Sequence, residues 1–305
     1  MLSFTVAIRK KRPLIPGEGH HWWPKSLSQY WTDHAGLISR IDTDGKVSRS
    51  KPFATGKISD GHNIRLGNGW DTTFEQDFDR PDNNFPIVVN FLESLVRSHC
   101  EKTSLEKSCQ CAHACTESDL QQLCECLVSL AVRSPHFRHR ILRTALDALN
   151  NVPKERHKIL IGANVMQAYR RLIGNNLGRG KFLVLFSRSK EFIFGDGFYS
   201  HNLTSMSSGC RILVPLTPLI AVLYILPGAY MVNPRLVTQE AIDEVIPIIN
   251  ETVQVYSKEC LFYRFERPFL SEHFLRREHL YYSNGDPVEM LIEQMPGAKM
   301  PQWPL

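Results

Sequence analysis

The longest uncharged stretch of the chain constrains its fold more than any other sequence feature. It runs for 23 residues, from Ile212 to Pro234, and that length alone would admit a membrane-spanning helix. Pro215, Pro218 and Pro227 would break such a helix, because proline has no amide hydrogen and clashes with the preceding turn. The runs between the prolines are short and rich in β-branched residues, which is typical of buried strands joined by turns. We therefore expect strands here and no membrane partner.

Local signals predict further elements on both sides of a helical middle. Near the start, Pro24 begins a short helix with aromatic residues on one face, and Asp44-Gly45 predicts a hairpin between residues 37–41 and 46–50. Helical spacing, a capping box at Ser118 and the proline at Pro135 predict helices in the middle of the chain. These helices cover about 85–96, 118–130, 136–150 and 156–173. Later residues predict strands at 182–186, 191–194, 211–214, 220–226 and 260–265, with a helix over 238–256.

This order of elements predicts an α+β fold. We expect an N-terminal aromatic helix and β-hairpin, a helical middle, and a C-terminal β-sheet with a packed helix. The chain has 305 residues, of which 43% are hydrophobic, and this is enough to bury a large core without disulfides or metals. We expect one domain over residues 1–305, with lobes at 1–80, 81–176 and 177–305.

Cysteine usage bears on the compartment and on metal binding. Residues 1–11 lack the apolar core of a signal peptide, so the eight cysteines predict reduced thiols in the cytoplasm. Cys109, Cys111, His113 and Cys115 offer soft ligands for zinc within a predicted loop. Their one-residue spacing is tighter than the usual two to four, which favours free thiols, with a zinc site as the alternative.

Charge is concentrated in one part of the sequence. The formal net charge is +5, yet residues 133–181 hold eleven lysines and arginines against only Asp147 and Glu155. A basic segment of this kind is typical of contact with phosphate, although helix faces can also be basic for solubility. The segment predicts RNA or DNA as a partner.

Four short motifs occur in order along the chain. They are H-H-W-W-P at 20–24, R-S-P-H-F-R at 133–138, F-G-D-G at 194–197, and P-L-T-P at 215–218. Together they resemble the prokaryotic family known as domain of unknown function 4238. Its pattern is H-H-Y-V-P, a helical R-T-P-x-x-R, a strand ending in S-D-x-P, and a P-L-[ST]-P strand. The resemblance covers roughly residues 20–265 and implies a fold more than a reaction. Trp22 and Trp23 depart from it, as does the Gly-Asp-Gly at 195–197.

Convergence of these motifs would create a site, because functional residues often lie at the polar ends of separate elements. We expect the residues of the motifs to line one cleft between the helical middle and the C-terminal strands. Imidazole, amine and carboxylate groups could move protons there, and guanidiniums could bind phosphate. The candidate catalytic residues are His21, Lys25, Asp196 and Glu75, and the candidate substrate-binding residues are His20, Arg133 and Arg138. Asp196 and Glu75 could also hold a divalent metal.

Each candidate also has a structural interpretation. His21 could bond backbone at a helix start, Arg133 could cap the carbonyls of the preceding helix, and Asp196 could be a turn residue. The pair His20-His21 with His62-Asn63 lacks the third histidine, on a following helix, that an H-N-H nuclease needs.

Two functional hypotheses follow from the motifs and the charge. The first is a nucleic-acid-directed phosphodiesterase of the toxin or phage-defence kind. The second is a non-catalytic module that binds nucleic acid or an acidic protein.

Overall fold

The computed structural model describes residues 14–66, 71–97, 110–149, 152–201, 203, 209–228, 230–241, 243–276 and 287–298. The strands are β1 (Gly19–His21), β2 (Ile38–Asp42), β3 (Val47–Ser50), β4 (Lys57–Ser59), β5 (Asn63–Ile64), β6 (Thr72–Thr73), β7 (Gln110–His113), β8 (Lys181–Phe186), β9 (Phe194–Gly195), β10 (Tyr199–His201), β11 (Cys210–Thr217), β12 (Ile220–Leu226), β13 (Leu236–Glu240) and β14 (Cys260–Tyr263). The helices are α1 (Lys25–Ser28), α2 (Asp79–Ser94), α3 (Glu117–Arg133), α4 (Pro135–Ala148), α5 (Lys154–Asn176), α6 (Val245–Tyr256), α7 (Glu272–Leu275) and α8 (Pro287–Gln294). The α+β prediction is confirmed.

Two larger sheets organise the fold. The first has six strands in the order β10-β11-β12-β8-β13-β7, antiparallel except for the parallel pair β8 and β13. The second has four antiparallel strands in the order β3-β2-β14-β9, so it pairs the N-terminal hairpin with strands from the C-terminal half. Two short pairs, β1 with β4 and β5 with β6, complete the pairing.

The uncharged stretch forms strands, as its prolines predict. Strands β11 and β12 pair along most of their length, and every residue of β12 is buried. Pro215 lies where the register between the two strands shifts, which fits a residue that cannot donate to a ladder of hydrogen bonds. Within the described ranges, no helix has the length and apolar character needed to cross a membrane.

The four helices predicted for the middle of the chain are present, with two shifts. Helix α2 begins at Asp79, six residues before the predicted start at 85. Helix α4 begins at Pro135, with Ser134 accepting a hydrogen bond from the amide of Phe137 at 3.2 Å. The capping box of α3 begins at Thr116 rather than Ser118, because the Thr116 hydroxyl accepts from the amide of Asp119 and the Asp119 carboxylate accepts from the amide of Thr116.

Two predicted elements were wrong. Residues 191–193 are not a strand, because their backbone bonds the side chain of Asn250 instead: Ile193 N donates to its Oδ1 at 3.0 Å, and Glu191 O accepts from its Nδ2 at 3.0 Å. Residues 238–240 are not helical, because they belong to β13, which fills the place between β8 and β7 in the six-stranded sheet. The helix of this region therefore begins only at Val245.

One apolar core joins the three predicted lobes. Trp23 from the N-terminal region, Leu127 from α3 and Leu223 from β12 belong to the same cluster of buried residues. The indole of Trp23 stacks on the ring of Phe194 at 4.2 Å between centroids and lies 4.7 Å from the ring of Phe262. The aromatic residues after His21 are therefore core, which agrees with the structural interpretation of that motif.

We predict that Trp23→Ala destabilises the protein strongly, since it would leave a cavity between β9, β14 and the N-terminal segment. The expected loss is about 3–5 kcal/mol in the free energy of unfolding, measured by urea denaturation. Phe269→Ala is the control, because that side chain is 91% exposed and its loss should change stability by less than about 0.5 kcal/mol. Equal effects of the two substitutions would contradict this packing.

Candidate functional site

The guanidinium of Arg133 joins three segments that are distant in the chain. It is fully buried at the end of α3, where Nη1 and Nη2 donate to the two carboxylate oxygens of Asp82 at 3.1 and 2.7 Å. Nη1 also donates to the backbone oxygen of His21 at 3.4 Å, and Nε donates to that of Ser129 at 3.1 Å. The ring of Phe78 lies 4.4 Å from the guanidinium carbon. Asp82 balances the charge of Arg133, so this arginine is a structural link.

Arg138 lies five residues later, near the start of α4, and no carboxylate of the described residues forms an ion pair with it. Its side chain is only 7% exposed, and Nε donates to the backbone oxygen of Arg133 at 3.2 Å. No acceptor among the described residues reaches its buried Nη2. Burial, followed by repulsion from Arg133, lowers its pKa to about 10. Arg138 is thus a buried cation without a carboxylate partner in the described structure.

Asp196 is held by backbone at the end of β9. Its Oδ1 accepts from the amide of Lys258 at 2.8 Å, and its Oδ2 accepts from the amide of Glu259 at 3.0 Å. Burial raises the pKa of Asp196 to about 7, although these two amides act in the opposite direction. The carboxyl group is therefore near its titration midpoint at neutral pH.

The glycines beside Asp196 allow this position. A Cβ at Gly197 would lie 1.8 Å from the backbone oxygen of Tyr256, and one at Gly195 would lie 1.9 Å from the hydroxyl of Ser257. Close approach to the end of α6 thus requires glycine on both sides of the aspartate, which accounts for the Gly-Asp-Gly sequence.

Arg138 and Asp196 line one open cleft. Its volume is about 590 Å³, within the range of small-molecule sites. The lining comes from the hairpin of β2 and β3, the segment through β4, the start of α4, Asp196 and the start of β14. Strand β14 is the neighbour of β2 in the four-stranded sheet, where Phe262 is the partner of Arg40. The lining includes four cations, Arg40, Arg49, Lys57 and Arg138, against the carboxyl groups of Asp196 and Glu259.

A group of histidines lies behind the wall of the cleft. His20 and His21 on β1 pair with Ile58 and Lys57 on β4, and both of those partners line the cleft. His20 is buried, and its Nδ1 accepts from the backbone amide of His62 at 3.3 Å. Burial and the charge of Lys57 lower the pKa of His21.

The structure brings two of the seven candidate residues, Arg138 and Asp196, to the lining of the cleft. Arg133 and His20 are buried outside the lining, and His21 and Glu75 do not line it either, so the expectation that a histidine of the first motif lines the cleft was wrong. The expectation that Arg133 also lines the cleft was therefore wrong, because its donors are committed to Asp82 and to backbone. Lys25 is exposed on α1 and does not line the cleft.

The described residues do not form the predicted metal sites. Cys111 and His113 lie in β7 rather than in a loop, and the His113 ring bonds the hydroxyl of Thr238 at 2.8 Å. Cys109 lies outside the described residues. In the part of the chain with described coordinates, no three His, Cys, Asp or Glu side chains gather to hold a metal, either here or around Asp196 and Glu75.

The basic segment 133–181 does not form one exposed face. Arg133 and Lys181 are buried, and Lys181 donates to the backbone oxygens of Met231 at 2.9 Å and of Pro234. Arg170 pairs with Asp77 at 2.8 Å. Counting charges along the chain therefore overestimated the free cations of this segment, because several of them serve the fold.

Sequence reasoning missed several residues of the site. These include Arg40 and Arg49 of the hairpin and Lys57 of a short strand, which line the cleft. Their spacing in the sequence matches no binding or catalytic motif. His62 was considered only as part of an H-N-H pattern, and its position beside Glu75 and His20 depends on folding. The Asp44-Gly45 turn predicted the hairpin that carries Arg40 and Arg49, but not the role of these two side chains in the cleft.

Comparison with known proteins adds no relative: no family model, curated protein or solved structure matches this chain. The resemblance to domain of unknown function 4238 therefore stays a prediction. Three of the motif segments that carry it contact one another: the backbone oxygen of His21 accepts from Arg133, and Trp23 stacks on Phe194. The P-L-T-P segment is bonded by Trp31, which lies outside the motifs and whose indole donates to Leu216 O at 3.0 Å.

We predict opposite effects on stability from the same substitution at the two arginines. Arg133→Met should lower the free energy of unfolding by ~3 kcal/mol or more, because it leaves Asp82 and the bonded carbonyls without their donor. Arg138→Met should leave stability unchanged or raise it, because it removes a buried charge that forms no ion pair among the described residues, with Glu75 as its favourable carboxylate neighbour at longer range. Urea denaturation of both variants checks this. A loss at Arg138 as large as that at Arg133 would contradict the assignment.

Proposed function

We propose that the cleft binds the phosphates of a nucleic acid strand and that the chain hydrolyses phosphodiester bonds there. The observation that carries the proposal is Arg138, a buried guanidinium at the cleft without a carboxylate partner among the described residues. An unpaired buried cation is costly, and an anion in the cleft would offset that cost. Guanidinium groups bind phosphate oxygens through paired N–H donors, so phosphate suits this position.

The surroundings of Arg138 support an extended polyanion over a small anion. Arg40, Arg49 and Lys57 add three cations to the lining of the same cleft. Cations spread over a groove are typical of proteins that follow a nucleic acid backbone. Arg49 pairs with Asp33 and Arg40 with Asp42 at 2.9 Å, so both are positioned before any ligand binds.

Asp196 supports hydrolysis in addition to binding. With its pKa raised to about 7, a substantial fraction of the carboxyl groups is protonated at neutral pH. A protonated carboxyl can donate its proton to the oxygen that leaves when a phosphodiester bond breaks. The hydrogen bonds from the amides of Lys258 and Glu259 fix the orientation of the Asp196 carboxyl group. The same bonds join the end of β9 to the segment before β14, so Asp196 also has a structural role.

The second candidate function is a non-catalytic module that uses the same cleft to hold nucleic acid. The observation in its favour is that three of the four catalytic candidates, His21, Lys25 and Glu75, do not line the cleft. If the cleft only binds nucleic acid, the logarithm of the binding constant should still fall linearly with the logarithm of the salt concentration. Binding of a protein partner should depend less on the salt concentration.

The test measures binding and cleavage of short single-stranded RNA and DNA, with and without magnesium. The wild type should cleave, and Arg138→Met should weaken binding about 10- to 100-fold, the value of a charge-assisted hydrogen bond. Asp196→Asn should keep binding and lower kcat by about 100-fold or more. The rate should fall as pH rises through about 7, because deprotonated Asp196 cannot donate.

Arg276→Met is the matched control, because it removes the same charge from an exposed site on the far end of α7 that does not line the cleft. It should bind and cleave like the wild type. Binding without cleavage by the wild type would reject the phosphodiesterase and leave the binding module. If Arg138→Met and Arg276→Met change the affinity equally, the cleft is not the binding site.

A further inference from the structure

A groove between helices α4 and α5 is separate from the cleft and shares no lining residue with it. Its volume is about 420 Å³, within the range of small-molecule sites. Helix α4 lines it with positions 140, 141, 144, 145 and 148 and with Leu149 at its end, and α5 lines it with positions 160, 164, 167, 168 and 171. Because residues three and four apart are neighbours on a helix surface, one face of each helix borders this α4–α5 groove.

Small side chains keep the α4–α5 groove open, and apolar side chains make up much of its lining. Ala145 on α4 and Ala168 on α5 border the space, where longer side chains would fill it. Ile141 and Leu160 add aliphatic surface, and Leu149 is 50% exposed at the end of α4. Covering this surface with a hydrocarbon chain would remove it from water, which is favourable.

The charges that border the α4–α5 groove have one sign. Arg140 and Arg171 are both in its lining, and no aspartate or glutamate of the described residues is. Arg140 Nη1 donates to the backbone oxygen of Ser200 at 3.3 Å, a long bond, and no acceptor among the described residues reaches its buried Nη2. The guanidinium of Arg140 is therefore held weakly, and by turning toward the groove it could offer both nitrogens to an anion.

We propose that the α4–α5 groove binds a free amphipathic carboxylate, with its alkyl chain between the two helices and its head group at Arg140. A guanidinium matches a carboxylate through paired N–H donors, and the aliphatic lining matches the chain. A nucleic acid strand fits this lining less well, because its sugars and phosphates would lose water there without gaining hydrogen bonds. The inference concerns a second site and does not depend on the reaction proposed for the cleft.

Three small probes separate the contribution of the charge from that of the chain. Isothermal titration calorimetry of the full chain compares octanoate with octanol, which has the chain without the charge, and with acetate, which has the charge without the chain. Octanoate should bind at one site, and octanol and acetate should each bind about 10-fold more weakly or less. No binding of octanoate, or equal affinity for octanoate and either of the other two, would overturn the inference.

Arg140→Met tests the position of the head group. The variant should bind octanoate about 10- to 100-fold more weakly than the wild type, because it loses the charge-assisted hydrogen bonds and keeps the aliphatic lining. Arg143→Met is the matched control, since Arg143 is exposed on the same helix and does not line the groove. It should bind octanoate as the wild type does. Equal affinities of the two variants for octanoate would place the ligand elsewhere and reject the site.

Ala148→Trp gives a second measurement if Arg140→Met does not fold. Ala148 is exposed and lines the α4–α5 groove, so an indole there should fill the space without disturbing the core. The variant should keep the melting temperature of the wild type and lose octanoate binding, and wild-type affinity for octanoate would contradict the inference. Neither variant should change the affinity for single-stranded oligonucleotides. If Arg140→Met weakens oligonucleotide binding and octanoate does not bind the wild type, the groove belongs to a nucleic acid path and the inference is wrong.

Discussion

The hydrogen bonds of the Arg133 guanidinium are the interactions on which the rest of the site depends. They connect the end of α3 with Asp82 at the start of α2 and with the backbone of β1, three segments that the chain order keeps far apart. The backbone oxygen of Arg133 then accepts from Arg138, so the same residue also positions the cation at the cleft. Asp82 neutralises Arg133, whereas Arg138 forms no ion pair among the described residues.

This arrangement separates the functional motifs into a supporting layer and a working layer. Arg133 and His20 are outside the lining of the cleft, where they hold segments together. Arg138 and Asp196 are also buried, but they line the cleft, where a ligand could reach them. Burial acts on both members of this pair in opposite senses, because it lowers the pKa of the arginine and raises that of the aspartate. Such opposed shifts at one cleft are typical of sites that bind anions and transfer protons.

Local sequence signals predicted the elements that depend on local physics. Asp44-Gly45 gave the hairpin, Pro135 gave the start of α4, and the prolines after Ile212 gave short strands. Strands β7 and β13 were not predicted, because each is stabilised by pairing with residues more than a hundred positions away. The same limit applies to the site. The motifs pointed to Arg138 and Asp196, but what distinguishes Arg133 from Arg138, an ion pair with Asp82 and a place outside the cleft lining, appears only after folding.

A crystal structure with a non-hydrolysable phosphorothioate dinucleotide tests the central claim most directly. The account predicts the linking phosphate in the cleft lined by Arg138 and Asp196, with the guanidinium of Arg138 donating to its oxygens at hydrogen-bond distance. The nucleotides should extend along the part of the cleft that Arg40 and Lys57 line. A dinucleotide bound elsewhere, with the guanidinium of Arg138 bonded only to water or to a carboxylate outside the described residues, would contradict it.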